Sequence, residues 1–131
     1  MPFIRITVMA PTLTLGQIHR LQEGTTELMT GLMRKPIQGT SVLVEQIRLG
    51  GWSIARAQVP IGAHVEVTIG VGTNTPSEKA RFMNEMMELL RAALGREVRE
   101  ETYITIREFN YDSYGRGGLT RAERERRRTA A

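Results

Sequence analysis

The sequence predicts an α+β fold in which tandem β-α-β units form a four-stranded sheet with two helices on one face. Three observations point to it. Period-two apolar alternation over 3–9 is followed by a long stripe at helical spacing and then by a second apolar strand. The same order recurs in the second half of the chain. The two halves align at an offset of 61 or 62 residues, so that Ile4 falls on Val65, Gln17 on Lys79, Ser41 on Tyr103 and Trp52 on Tyr114.

In the first strand, Ile4, Ile6 and Val8 share one face. Pro11 breaks it. A helix is expected from about Leu15 to Met33, because Ile18, Leu21, Thr25, Leu28 and Leu32 step by three and four. Lys35-Pro36 ends it, since a residue before proline is pushed out of the helical region. Residues 41–47 form the second strand, stopped by Gly50-Gly51. In the second unit, Val65, Val67 and Ile69 alternate on a strand over 65–71. Thr75-Pro76-Ser77-Glu78 is a capping box with proline in the first turn, and starts a helix that runs to about Leu94. Phe82, Met86, Leu89, Leu90 and Ala93 face inward, and Gly95 follows as a C-cap. Residues 102–109 make the last strand. The chain thus reads as one domain, 1–118, of two units (1–60 and 61–118), followed by a basic C-terminal tail, 119–131.

The 131 residues suffice for one core, and 40% of them are apolar, which argues against disorder. No segment approaches the roughly 20 apolar residues of a membrane span, and no basic region with an apolar stretch after it opens the chain. There are no cysteines, which suits a reducing compartment and leads us to expect a cytoplasmic protein. Two histidines, His19 and His64, are too few for a metal site, and neither metal nor cofactor is expected. The net charge of +4 is local. Residues 117–131 hold five arginines and two glutamates, and Arg116 supplies the remaining charge. The pattern reads as a solvated terminus, and nucleic acid and membrane are not the expected partners. Two β-α-β units leave one sheet face without helices. Val, Ile and Tyr side chains are expected there, so the chain is expected to self-associate.

The opening Met-Pro-Phe-Ile-Arg-Ile-Thr-Val resembles the start of the 4-oxalocrotonate tautomerase family, in the tautomerase superfamily. Ser41 to Ile54 is similar to that family's second strand and aromatic turn. Ser113-Tyr114-Gly115-Arg116-Gly117-Gly118 is similar to the matching turn of two-unit members such as malonate semialdehyde decarboxylase and the chloroacrylic acid dehalogenases. The resemblance extends to about Gly118. It implies a homotrimer and a small carboxylate substrate, with keto–enol tautomerisation as the activity. Hydration, decarboxylation and dehalogenation are related alternatives, and a fold that has lost its site is the other.

It also implies that Pro2 is catalytic. Removal of Met1 would leave a secondary amine. An α-amine titrates at roughly 7.7–8.0, and burial or nearby cations would favour its neutral form. That amine could take a proton from carbon beside a carbonyl and return it elsewhere. The second unit starts inside the chain near Ala63-His64, so one such site per chain is expected.

The substrate-binding arginines of the resemblance are missing at their usual places. Pro11 to Thr14, Ser41 to Leu43, Tyr103 and Gly70 to Thr75 contain none, and Ser113 stands where the cis-type dehalogenase carries an acid. Arg5, Arg48, Arg56, Arg107 and Arg116 are available instead. Arg56 and Arg116 are the preferred candidates, read as equivalent positions in the turns after Trp52 and Tyr114, with the two aromatics walling the pocket.

Overall fold

The structure, a computed structural model, describes residues 2–130. Strand β1 (Phe3–Met9) leads into helix α1 (Leu15–Gly31) and then, past a 3-10 turn at Ile37–Gly39, into β2 (Ser41–Gln46). Two short strands follow, β3 (Ser53–Ile54) and β4 (Ala57–Gln58). The second unit comprises β5 (Gly62–Gly70), α2 (Pro76–Leu94) and β6 (Ile104–Phe109), then a second short pair, β7 (Gly115–Arg116) and β8 (Leu119–Thr120), and helix α3 (Arg121–Ala130).

The main sheet has the order β2-β1-β5-β6. Each β-α-β crossover is parallel, as short chains around a helix require, with Phe3 opposite Ser41 and Val65 opposite Ile104. The two units meet antiparallel at the centre, where Ile6 faces Val65 and Phe3 faces Thr68. Both long helices start with a complete capping box. Thr75 accepts from the Glu78 amide as the sequence predicts, and Thr14 does the same with Gln17. That second box is a Thr-x-x-Gln pattern.

Alternation places Ile4, Ile6, Val8, Val65, Val67 and Ile69 on one face, all buried beneath α1 and α2. Phe82, Met86 and Leu90 come down from α2. From α1 the buried residues are Leu21, Thr25 and Met29, with Leu28 and Leu32 at the margin, so the stripe is rotated slightly from the predicted one. The helices touch closely at Gly24, where a Cβ would lie 2.7 Å from Leu89.

The other sheet face corrects the sequence-based expectation of Val and Ile. It carries Arg5, Thr7, Glu45, Glu66 and Arg107, crossed by an Arg5–Glu45 pair at 3.7 Å and an Arg107–Glu66 pair at 3.5 Å. Strict period-two alternation sends every β-branched aliphatic of the central strands to the helix side. Phe3, Leu43 and Tyr103 are the exposed apolar residues that remain off that side. No helix among the described residues is long and apolar enough to cross a membrane.

The predicted tail is also ordered further than expected. Residues 121–130 are helical, and the first turn is anchored: the Arg121 amide donates to the Tyr114 carbonyl at 2.9 Å and the Ala122 amide to Tyr111 at 2.8 Å. Pairs such as Arg127–Glu123 at 3.2 Å and Arg128–Glu125 at 2.7 Å lie one turn apart along it.

Candidate functional site

The sheet register assigns each candidate residue to an end of the molecule. Pro2 precedes β1, and its carbonyl accepts from the Ser41 amide at 3.2 Å, the first residue of β2. It is buried. Phe3 pairs with Thr68 and Gly70 with Phe109, so the end of the sheet that holds Pro2 also holds the ends of β5 and β6. Met1, whose removal would free the Pro2 nitrogen, lies outside the described residues.

The four other candidates divide between the two ends. Trp52 and Arg56 follow β2, whose last paired residue, Gln46, lies beside Val8 at the far end from Pro2. The Trp52 ring there packs on Gly62. Seven residues of strand, about 20 Å at 3.3 Å each, separate this end from Pro2 within the chain. Tyr114 and Arg116 follow β6 and lie at the Pro2 end. Arg56 and Arg116 are not equivalent, which corrects the sequence alignment of the two turns. The hairpins β3-β4 and β7-β8 superpose as Ser53 on Gly115 and Ala57 on Leu119, which sets Arg116 against Ile54 and Arg56 against Gly118. Arg5 and Arg107 lie on the uncovered face in their ion pairs, and His64 is opposite Thr7 on the same face.

At the Pro2 end the chain forms a cleft of about 690 Å³. Its walls are Arg34, Lys35 and Pro36 from the turn before β2, Thr73 from the β5–α2 loop, Arg116 from β7, and Arg121, Arg124, Glu125 and Arg128 from α3. Pro2 is not itself on these walls. Six cations and one carboxylate line this space, and only Arg116 among them is expected from the sequence to bind substrate.

Neutral groups hold several of these cations. Arg121 Nη1 donates to the Tyr114 hydroxyl at 3.0 Å, and its guanidinium lies 4.2 Å from the centre of the Tyr111 ring. These side chains crowd Gly70, where a Cβ would lie 2.8 Å from the Tyr114 hydroxyl; only glycine lets them approach the strand end. Arg124 donates to the Arg116 carbonyl at 2.9 Å. Lys35 Nζ donates to the Thr73 hydroxyl at 2.8 Å, and that hydroxyl donates to the Gly70 carbonyl. Burial, then the charges of Arg121 and Arg34, pull the Lys35 ammonium from its usual value down to about 8. Arg34 instead has a carboxylate partner: it donates to Glu78 at 2.6 Å, and this bond, with the Thr75 amide, holds Glu78 down to about 2.

Among the described residues no cluster of three His, Asp or Glu side chains is placed to hold a metal. The cleft concentrates positive charge suited to binding an anion, at the end of the sheet that also holds buried Pro2.

No family model matches the chain, and no curated protein matches it. Solved structures do. The chain is similar to Pt0534 inactivated by 2-oxo-3-pentynoate, over 92% of this chain and 97% of that one, with a TM-score of 0.82 and 15% identity. It is similar to a fused 4-OT that forms an asymmetric trimer, over 92% and 96%, with a TM-score of 0.79 and 15% identity. A macrophage migration inhibitory factor-like protein from Entamoeba histolytica aligns over 91% and 97%, at a TM-score of 0.73 and 16% identity. The order of two β-α-β units, the antiparallel join at β1 and β5 and these alignments over nearly the whole of each chain show that the protein has the tautomerase/MIF-like fold.

Proposed function

We propose that the protein is a proline-dependent tautomerase acting on a small 2-oxo or enol carboxylic acid. The observation that carries this reading is the placement of buried Pro2 at the same end of the sheet as the cationic cleft. Once Met1 is released, the Pro2 nitrogen is a secondary amine. Burial and nearby cations both disfavour its ammonium form, so it is available as a base near neutral pH. It removes a proton from the carbon beside the substrate carbonyl and returns it at a second position. The arginines of the cleft, Arg116 and Arg121 foremost, hold the carboxylate and stabilise the enolate charge that develops. Tyr114 orients Arg121 through the hydroxyl it offers. Trp52 and Arg56, at the far end of the same chain, reach a Pro2 site only from a neighbouring subunit. A homotrimer, as in the fused 4-OT relatives, supplies that neighbour.

The test is ketonisation of phenylpyruvate enol or 2-hydroxymuconate by wild type and Pro2→Ala. A general base contributes about 10²–10⁴-fold, and that loss is expected. Equal rates overturn the reading. So does an intact mass that retains Met1, because the Pro2 nitrogen is then an amide; the alternative of a catalytically degenerate fold would stand in its place. The 2-oxo-3-pentynoate that inactivates the Pt0534 relative is a direct probe, expected to add its mass to the amino-terminal peptide of the wild type.

A further inference from the structure

The cleft holds more positive charge than a carboxylate can answer, and we propose that it binds a small acid carrying a phosphate group. The inference rests on the reading above for the place of the substrate, and names its class.

The charges on the walls are unevenly matched. Arg34 is paired with Glu78 and Arg128 with Glu125. Lys35, Arg116, Arg121 and Arg124 have no carboxylate partner among the described residues, and three of them are held by neutral oxygens. Each keeps donors to spare: an ammonium has three and a guanidinium five. Holding four like charges around one space is unfavourable until an anion enters, and a monocarboxylate answers one of them. A carboxylate also offers two coplanar oxygens, which a single guanidinium fork satisfies. A phosphate monoester brings a charge of about −2 and three acceptor oxygens spread around one atom. That shape suits donors arriving from the α1–β2 turn, from β7 and from α3.

The repeat shows which of these charges the architecture does not dictate. The hairpins are offset by 62 residues and the helices by 61, as the capping residues Thr14 and Thr75 show. At the opposite end of the sheet the counterparts of Arg116 and Arg121 are Ile54 and Val59, whereas the counterpart of Lys35 is Arg96, so the arginines of β7 and α3 are what set the Pro2 end apart. The cleft's 690 Å³ also falls within the roughly 300–1,000 Å³ range of sites for larger small molecules. A single-stranded nucleic acid is the less fitting polyanion: Lys35 is half-buried in a concavity rather than set along an open track.

Lys35 provides a specific readout. Arg34, Arg121, Glu78 and Glu108 act on it, and Arg116, Arg124, Arg128 and Glu125 share its cleft. A dianion seated beside an ammonium already pulled down to about 8 favours its protonated form. Binding near pH 8 should therefore take up a proton. The ligand phosphate, with a second pKa of about 6, is already a dianion there.

The experiment is calorimetric titration with 3-phosphoglycerate and with glycerate at pH 8, in two buffers of different ionisation enthalpy. The phosphorylated acid should bind at least about tenfold more tightly, a difference of about 1.4 kcal/mol, with proton uptake. Lys35→Gln should lose the uptake and most of the preference, Arg124→Gln should lose preference while keeping uptake, and Arg96→Gln, the counterpart of Lys35 at the other end, should change neither. Circular dichroism checks that each variant is folded. Equal affinity for the two acids, an unchanged Lys35→Gln variant, or tighter binding of a ten-nucleotide single strand overturns the proposal. The titration needs no turnover and works equally on Pro2→Ala protein, so the failure of one reading does not carry the other with it.

Discussion

The Trp52 ring occupies the space that a side chain on residue 62 would need: a Cβ built on Gly62 would lie 2.7 Å from Trp52 Cγ and Cε3. The loop after β2 closes onto the start of β5 at that point, joining the two units. Gly62→Ala must push the indole away or bend the strand, and overpacking of this kind costs about 1–3 kcal/mol. Denaturant unfolding should show the loss, while Gly39→Ala, where a Cβ meets nothing within 4 Å, should fall well below it.

The two small hairpins make a second prediction. Their turns superpose as Ala55-Arg56 on Gly117-Gly118, and all four residues have positive φ, at 52° and 71° in the first turn and 62° and 82° in the second. This is the geometry of a two-residue hairpin of mirror-image type. Glycine adopts it freely, whereas other residues are strained by roughly 1–2 kcal/mol each. Ala55→Gly should raise the unfolding free energy by about 0.5–1 kcal/mol after the added chain entropy of glycine is subtracted. Gly117→Ala should lower it, the more so because its Cβ would also meet Arg124 Nη2 at 2.7 Å.

These hairpins mark the boundary of what the sequence reveals. The six long elements were legible because apolar residues at period two or at helical spacing repeat often enough to define a face. A two-residue strand carries no period, so β3, β4, β7 and β8 read only as turns, and the alignment of Arg56 with Arg116 slipped. Helix α3 has no apolar stripe; its order comes from anchoring at Tyr111 and Tyr114, which polarity does not announce. The cleft was hidden for a different reason. Its cations lie near residues 34, 116, 121, 124 and 128, and only the β-α-β crossover and the docking of α3 bring them together. Pro2 was a candidate from the sequence because the chemistry proposed for it depends on position in the chain, not on folding.

Acid stability should depend on Glu78. Its folded pKa, about 2, lies below the ordinary 4.5, so the unfolded chain binds its proton more readily. The contribution is full above about pH 4.5 and is lost as pH falls towards 2. A Glu78→Gln variant keeps an acceptor for the Thr75 amide and removes the Arg34 pair. The difference between wild type and variant in thermal unfolding should shrink across that interval and be nearly gone at its lower end.

Lys35 has the opposite consequence. Its pKa is lowered on folding, from 10.5 to about 8. Between those values the unfolded chain carries the proton and the folded chain does not, so this group makes stability rise with pH there. Below pH 8 folding holds a disfavoured charge. Lys35→Met should raise the melting temperature at pH 7, and the gain should fade as pH approaches 10.5. A variant destabilised at pH 7 would show that the Thr73 bond outweighs the repulsion from Arg34 and Arg121.

The uncovered sheet face decides how the proposed trimer would be held. An apolar face would associate through area alone, but this one sets the Arg5–Glu45 and Arg107–Glu66 pairs among Phe3, Leu43 and Tyr103. Leu43, on edge strand β2, is 38% exposed, and Tyr103, just before the other edge strand β6, is 72% exposed, where a neighbour would first make contact. The proposed assembly therefore joins apolar edges around a polar centre, and the centre keeps its charges paired within each chain. Light scattering should find a species of three times 14.7 kDa at micromolar concentration. Moderate salt should weaken it little, because the pairs do not cross between chains. Leu43→Asp places a second carboxylate at the edge beside Arg5, which already pairs with Glu45, and burying the resulting excess negative charge costs several kcal/mol, so this variant should dissociate while its circular dichroism stays unchanged. A wild-type monomer at that concentration would overturn the trimer. It would also leave Trp52 and Arg56 about a sheet length from Pro2, with no route to its site. A Leu43→Asp protein that remained trimeric would show that the β2 edge is not where the chains meet.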